Sequence, residues 1–381
     1  MPSTSPGPMQ AALLAGMGPE LSSWRGLYGG AAEGAAYYAA CETAVPPAFT
    51  FFAVGVYEGS RLVAGAPGFQ ARFRLDTGLN GMSRRAAGLL GDVKLVGLGS
   101  PHADRCALTF ARDFDRDARL QATSLMLDVL EGERRASRAQ AVILKNIDRS
   151  QRADLAPAFE RSGLQAIEAL PVALLDVPST DAAYIASLSA NMRSNMRRKL
   201  KRASSIQVDV RDEIGDLAGA INALREETRA RAETDYGVFE EVAPDYFAAV
   251  LKQMPGRALL PTYWLDETLV GFSLVLIGDD EIVEKYTGMR YPLAIDHGVF
   301  FLNWMTIVRL AAERGIKRFR AGETTYLTKA RLGCRLHRSW IYARGGNAVA
   351  NAGLRLARPW IGLDRSDPDL KRLGGEAPYA D

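Results

Sequence analysis

Six basic residues fall within ten positions: Arg193, Arg197, Arg198, Lys199, Lys201 and Arg202. Met192, Met196 and Leu200 recur among them at four-residue spacing. The segment is therefore expected as an amphipathic helix with one narrow apolar stripe and a dense cationic face. Charges crowded in this way repel one another unless anions lie between them, so the face points to a phosphate-bearing partner. Its chemistry fits CoA phosphates, anionic membrane lipid or tRNA alike. The plain alternative is a solvated face held down by its methionines. Arginines scattered elsewhere carry no such weight, since the chain has 38 arginines against 9 lysines.

Groups able to move protons are fewer. His297 lies in a loop entering a helix, and an imidazole with an ordinary pKa near 6.5 accepts a proton at neutral pH. Glu284 and Tyr286 share one face of a strand by period two, with Lys285 on the other. A glutamate on a central strand is unusual unless paired, which makes Glu284 a second candidate base. Asp235 and Tyr236, in Glu233-Thr-Asp-Tyr-Gly237, lie in a polar loop suited to lining an acceptor site. His102, in Ser100-Pro-His-Ala-Asp104, holds a loosely corresponding place earlier in the chain, and His337 opens a strand and reads as structural. The sequence has no Gly-Lys-Ser/Thr phosphate loop and no Gly-x-Ser-x-Gly elbow, and Gly97-Leu-Gly99 lacks the third glycine of a dinucleotide fingerprint. Three dispersed histidines and three dispersed cysteines give no metal-ligand spacing and fit reduced thiols.

The elements that must position these residues come in two similar sets. In the second, 258–265, 269–277 and 281–288 read as a three-strand antiparallel meander with tight turns. Residues 298–314 follow as a helix, with Phe301, Trp304, Met305, Val308 and Ala312 at three- and four-residue spacing and Gly315 as its stop. A strand over 316–321, a helical turn over 324–332 and a strand over 337–343 complete it. The first set repeats the order: strands 49–57, 61–69 and 94–98, a helix over 119–135, a strand over 141–146, a helix over 152–161 and a strand over 172–177. An internal duplication joined near 178–181 is the expectation.

This order resembles the acyl-CoA N-acyltransferase fold of the GNAT superfamily, and its doubling resembles the FemAB-like branch and the cellulose-biosynthesis-type acetyltransferases. The resemblance is carried by Leu188-Ser-Ala-Asn-Met-Arg-Ser-Asn-Met-Arg-Arg-Lys-Leu-Lys-Arg202, by Glu284-Lys-Tyr-Thr-Gly-Met-Arg-Tyr-Pro292 and by Gly322-Glu-Thr-Thr-Tyr-Leu-Thr-Lys-Ala-Arg-Leu-Gly333. The phrases around Arg290 and Tyr326 also look like the bacterial ceramide-synthase group. The resemblance covers mainly residues 180–345. It implies tandem α+β domains, each a mixed, mainly antiparallel sheet flanked by helices, with the chemistry in the second.

The implied reaction is acyl transfer from a thioester to an amine, which needs a base for the amine, an acid for the thiolate and a donor for the oxyanion. His297, Glu284, Glu323 and Tyr326 are the candidates, with Tyr326 as the acid. Lys329, Arg331, Arg197 and Arg198 are candidates to hold donor phosphates. Tyr286 joins Asp235 and Tyr236 as an acceptor-side residue. A typical GNAT phosphate loop is glycine-rich, whereas this one reads Arg290-Tyr-Pro-Leu-Ala-Ile-Asp-His-Gly298, so only Arg290 and Gly298 serve similar ends. Some FemAB-like members use aminoacyl-tRNA in place of CoA.

Composition sets the outer bounds. The 381 residues are 48% hydrophobic and 24% charged, ample for packed domains and unlike a disordered chain. A net charge of +3 is too small for bulk nucleic-acid binding, and DNA is not an expected partner. No apolar run reaches the roughly 20 residues of a spanning helix. The expected division is a flexible 1–20, a first GNAT-like half over 21–178, a catalytic half over 179–345 and a C-terminal arm over 346–381. The expected setting is cytoplasmic, with peripheral contact at an anionic inner membrane. The expected substrates are acyl-CoA and an amphipathic amine such as a sphingoid base, with no permanently bound cofactor. The alternatives are an aminoacyl-tRNA-dependent transferase acting on peptidoglycan precursors and a non-catalytic module binding envelope lipid or polysaccharide.

Overall fold

The computed structural model describes residues 8–74, 91–232, 237–358, 361–365 and 367–380. Its strands form two sheets. The first runs β1 (Met9–Leu14), β2 (Phe49–Glu58), β3 (Arg61–Arg74), β4 (Asp92–Leu98), β6 (Ala141–Asp148), β15 (Ser339–Gly345) and β7 (Gln165–Glu168), with the short β5 (Thr109–Phe110) on β3. The second runs β14 (Arg335–His337), β8 (Val172–Asp176), β13 (Arg318–Gly322), β12 (Glu281–Met289), β11 (Thr268–Ile277), β10 (Ala258–Leu265) and β9 (Ile206–Arg211). Each sheet is antiparallel apart from one parallel pair, β4 with β6 and β12 with β13. The fold is the expected doubled α+β arrangement of two mainly antiparallel sheets flanked by helices.

The sheets exchange strands. β8 lies between β13 and β14 of the second sheet, and β15 lies between β6 and β7 of the first. β8, which follows β7 of the first sheet, thus joins the second, and β15, which follows β14 of the second sheet, joins the first. Met9–Leu14, within the stretch expected to be flexible, is an ordered edge strand paired along its length with β2. Local alternation was too weak to reveal it; cross-strand pairing holds it. β7 and β9, and the helices Ala35–Thr43 and Tyr246–Gln253, also carried no clear sequence signal.

Two apolar layers sandwich the second sheet. Val299–Glu313 packs on one face through Trp304, Met305, Ile307 and Val308, in one cluster with Met192 and Met196. The helices Ala218–Arg229 and Tyr246–Gln253 cover the other through Leu224, Phe247 and Val250. The basic segment is the expected helix, Ala190–Arg202, capped by Ser189, whose Oγ accepts from the Met192 N–H at 3.3 Å. Met192 and Met196 are buried while Arg197, Arg198 and Lys201 are exposed. Burying a methionine contributes about 1.5–3 kcal/mol, enough to hold the helix down despite its self-repelling outer face. Beyond β15, the helix Ala348–Ala357 leaves Val349 and Leu356 exposed, whereas Leu370 and Tyr379 return to the second sheet's core. No described helix is long and apolar enough to cross a membrane.

Candidate active site

β12 and β13 pair in parallel only from Glu281 to Val283 and from Arg318 to Arg320. Beyond that point β12 continues along β11, while β13 turns at Gly322, whose φ of +74° suits a residue without Cβ. The strands splay, and Glu284, Glu323 and Lys329 gather at this opening.

β12 also carries a bulge. Tyr286 lies opposite Leu274 and Glu284 opposite Val275, which leaves Lys285 as the extra residue. The expectation that Glu284 and Tyr286 share a face is therefore corrected. Lys285 pairs with Glu33 and sits over the Tyr37 ring, and Tyr286 packs on Tyr246 and Phe247 on that same side. Glu284 faces the opposite layer, toward the helix Val299–Glu313. The extra residue shifts the strand out of period two, which the sequence alone does not reveal.

Glu284 is held by a polar chain. Its Oε1 accepts from Asn303 Nδ2 at 2.6 Å and from Thr287 Oγ1 at 2.9 Å. Asn303 is 2% exposed, and its Oδ1 accepts from Tyr263 and Ser273, each at 2.8 Å. A carboxylate only accepts, so the amide must turn its NH₂ to Glu284 and its oxygen to the two hydroxyls. Glu284 Oε2 takes no hydrogen bond among the described residues. Burial raises the Glu284 pKa, opposed by the Asn303 bond and the nearby Lys329 ammonium. Burial lowers the Lys329 pKa, opposed first by Glu284. A carboxylate tuned upward, with one oxygen unbonded among the described residues, is suited to accepting a proton.

Glu323 follows Gly322. Its Oε1 accepts from Asn146 Nδ2 at 2.9 Å, and its carbonyl accepts from Lys329 Nζ at 2.8 Å. Burial raises its pKa too, against the pull of Lys145. Thr324 and Thr325 next to it both have positive φ, +64° and +53°. For β-branched residues this is costly, about 1–3 kcal/mol each, and the short helix Tyr326–Arg331 begins from this strained turn. Tyr326 departs from its expected part: it is fully buried, and its hydroxyl donates to the Pro171 carbonyl at 2.8 Å, just before β8. That bond ties the turn to the exchanged strand and spends the phenol on backbone.

The first sheet has its own splay. β4 and β6 pair in parallel only from Leu95 to Leu98 and from Ala141 to Leu144. His102, Asp104, Lys145 and Asn146 lie at its open end, and the two open ends meet. Asn146 reaches Glu323, His102 Nδ1 lies 3.2 Å from the Tyr286 hydroxyl, and Asp104 pairs with Arg320 at 2.5 Å. His102 is 2% exposed among Phe49, Phe51 and Tyr246, and its Nε2 has no partner among the described residues. Burial, then the Lys285, Lys145 and Arg225 charges, lower its pKa to about 3. Burial pushes the Tyr286 phenol up to about 12. Sequence reasoning passed over Lys145, Asn146, Asn303 and Arg320; the φ of +58° at Asn146, a non-glycine within a strand, is visible only in the fold.

The remaining candidates lie apart from this centre. His297 is half-buried, with Nδ1 3.2 Å from Ser205 Oγ, and directly precedes Gly298. Gly298 has φ +66°, and a Cβ there would come within 2.9 Å of the Lys199 carbonyl oxygen. The basic helix thus abuts the start of Val299–Glu313, which no side chain caps. Arg290 donates through Nε to the Leu269 carbonyl at 3.2 Å. Arg331 is exposed, and Arg198 bonds Asn195 on its own helix. Asp235 and Tyr236 lie outside the described residues. Among the described residues no group of three or more His, Cys, Asp or Glu could hold a metal.

Residues 190–327 match the family model of the acetyltransferase (GNAT) domain. Residues 190–327 therefore carry a GNAT acetyltransferase domain, which makes the protein an enzyme, an N-acyltransferase. Solved structures similar to the chain include FemX, with a TM-score of 0.55 at 11% identity over 81% of this chain and 90% of FemX. The C-terminal domain of a protein assigned as a lysylphosphatidylglycerol synthetase from Agrobacterium fabrum gives 0.52 at 12% identity, over 89% of this chain and 95% of that one. A tandem GNAT protein from the clavulanic acid biosynthesis pathway gives 0.50 at 13% identity, over 89% and 99%. At these identities the likeness is one of fold, and it spans both halves. No curated protein matches the chain.

Proposed function

We propose that the protein transfers an acyl group from an acyl-CoA thioester to the amine of an amphipathic acceptor, with Glu284 as the base. The observation that carries this is the Glu284 carboxylate, clamped through one oxygen by Asn303 and Thr287 at the splay of β12 and β13, with the other taking no hydrogen bond among the described residues. The amine attacks the thioester carbonyl carbon, a C–N bond forms, and the amine proton passes to Glu284 Oε2. The C–S bond then breaks, and the thiolate leaves to be protonated from water. Lys329 and Glu323 set the local field. Tyr326 has no acid's part in this reading, since its hydroxyl is bonded to Pro171.

The donor phosphates fit the uncapped start of Val299–Glu313. The Phe301 and Leu302 N–H groups both bond the Gly298 carbonyl, and those of Val299 and Phe300 have no partner among the described residues, as the first N–H groups of a helix do when an anion completes them. Arg290 and the abutting basic helix, with Arg197 and Arg198, supply positive charge nearby, and His297 borders the same helix start. On the acceptor side the bottom-up reading stops at an amphipathic amine; a sphingoid base, giving a ceramide, is the specific candidate supplied by the sequence resemblance around Arg290 and Tyr326. The exposed cationic face suits peripheral contact with anionic lipid at the cytoplasmic side of a membrane.

A second reading, aminoacyl transfer from tRNA, draws on the same exposed basic helix and on the likeness to FemX and to the lysylphosphatidylglycerol synthetase domain. Mass spectrometry of products from acyl-CoA, acyl-carrier protein and aminoacyl-tRNA, each offered with amine acceptors, separates the two. Saturable calorimetric binding of a CoA thioester, weakened by Arg290→Ala, is expected; absence of binding to both short- and long-chain thioesters would overturn the CoA reading.

A further inference from the structure

One contact between the halves is flanked by backbone strain on both sides. Asn146 Nδ2 donates to Glu323 Oε1 at 2.9 Å, and Asn146 is 3% exposed. β6 carries a bulge at this point. Leu144 lies opposite Tyr342 and Ile147 opposite Trp340, so Lys145 and Asn146 stand against Ile341 alone. Asn146 has φ +58°, and its carbonyl accepts from the Cys106 N–H at 2.7 Å. Across the bond, Thr324 and Thr325 follow Glu323 with φ +64° and +53°. Among the described residues five non-glycines have positive φ, and three of them flank this bond. Such strain persists only where the surrounding structure fixes it, and it gathers at functional positions.

What the bond holds is the turn that places Lys329. Lys329 is 5% exposed, and its ammonium makes one hydrogen bond among the described residues, to the Glu323 carbonyl at 2.8 Å. A buried ammonium with one anchor takes its position from that anchor. Glu323 itself faces Lys145, Asp104 and Lys285 across the halves. Lys329 interacts foremost with Glu284. The other titratable groups near Glu284 are Tyr263 of β10 and Cys334, which follows the helix Tyr326–Arg331. Burial raises the pKa of both, so they stay neutral at pH 7 and Lys329 is the charge that acts on Glu284.

We propose that Asn146 is a positioning residue through which the first half completes the centre in the second: by holding the Glu323 side chain it fixes the turn, and the turn places the Lys329 ammonium beside Glu284. The part played by Glu284 rests on the acyl-transfer reading; the chain of contacts that leads to it does not.

The test follows the Glu284 carboxyl itself, by ¹³C NMR of the full chain labelled at glutamate Cδ, with the signal identified by its loss in Glu284→Gln. Asn146→Gly removes the donor and keeps a residue suited to positive φ. The Glu284 titration midpoint should rise by about half to one pH unit, the scale of one hydrogen bond. In a Lys329→Met background Asn146→Gly should move it no further. Asn146→Asp sets two carboxylates against each other and should raise it too. Asn146→Asp with Glu323→Gln should bring it back, because the glutamine amide then donates to the aspartate and the pair keeps one negative charge. That pair carries the comparison if Asn146→Gly fails to fold. Turnover of an acyl-CoA with an amine should show its acid limb moving by the same amount. An unchanged Glu284 midpoint in Asn146→Gly overturns the inference even where the parent turns over acyl-CoA, and so does an equal rise with and without Lys329. No turnover in the parent, with the midpoint moving as expected, would overturn the acyl-transfer reading and support the positioning role.

Discussion

Asn303 Nδ2 stands 2.6 Å from Glu284 Oε1, while Tyr263 and Ser273 lock the far end of the same amide. Glu284 is thereby a carboxylate of fixed direction. Its pKa is raised by burial, so at pH values above its folded-state pKa the ionised form costs stability relative to the unfolded chain. Glu284→Gln keeps the shape and an acceptor oxygen and removes that charge. Turnover should fall about 10²–10⁴-fold, while the melting temperature at pH 7 stays level or rises. Turnover assays beside thermal unfolding check this; equal losses in both would mean that the residue is structural.

Asn303 bears on the pH profile. Its hydrogen bond favours the ionised carboxylate, so Asn303→Leu should move the acid limb of the turnover profile to higher pH. Ser273→Ala, one bond further away, should move it less. A profile that loses amplitude without shifting would separate Asn303 from the ionisation of Glu284.

His102 makes a stability prediction of definite sign. Its pKa falls from 6.5 to about 3 on folding. The unfolded chain therefore takes up a proton first as the pH drops, and the stability that neutral His102 maintains above pH 6.5 is lost progressively toward pH 3. Urea unfolding of the parent and of His102→Asn across this window should show a shallower decline in the variant. Parallel slopes would mean that His102 is already charged in the folded protein.

Arg320 holds three carboxylates from both halves. Arg320→Met should leave Asp104 and Glu281 buried without their guanidinium, with Glu33 keeping Lys285, at a cost of about 3–5 kcal/mol read from denaturant midpoints. Adding Glu281→Gln to that variant should recover part of the loss, because one stranded charge disappears. Independent, additive effects would argue against the network.

The basic helix should respond to charge and not to stability. Charge reversal at Arg197, Arg198 and Lys201, all exposed, should leave the unfolding midpoint in place and reduce sedimentation with anionic vesicles. That binding should weaken as salt shortens the Debye length from about 10 Å at 0.1 M to about 3 Å at 1 M. Loss of CoA affinity with unchanged vesicle binding would assign the helix to the donor site instead.

Much of the scaffold was readable from local pattern. Met192 and Met196 at four-residue spacing mark the buried stripe of Ala190–Arg202, and Trp304, Met305 and Val308 mark the packed side of Val299–Glu313. The turn residues at Asp266–Thr268 and Gly278–Asp280 separate β10, β11 and β12, and the repeat of that order suggested the doubling. These features depend on neighbours within one or two turns of chain, where side-chain period and backbone geometry are directly linked. Glu284, read from residue type and strand position, and Glu323 and Lys329, read from the resemblance, lie at one opening.

What the sequence determined by itself, then, is the set of elements, their apolar faces and a short roster of groups able to exchange protons or hold anions. Tertiary structure alone decided which of them meet. The bulge at Lys285 turned Tyr286 away from Glu284. The exchange of β8 and β15 put Pro171 over Tyr326 and spent its hydroxyl. Asn146 reached Glu323 from 177 residues away. Such pairings follow from burying two sheets against each other and finding partners for every enclosed charge. That balance is struck across the whole chain, and no local spacing encodes it.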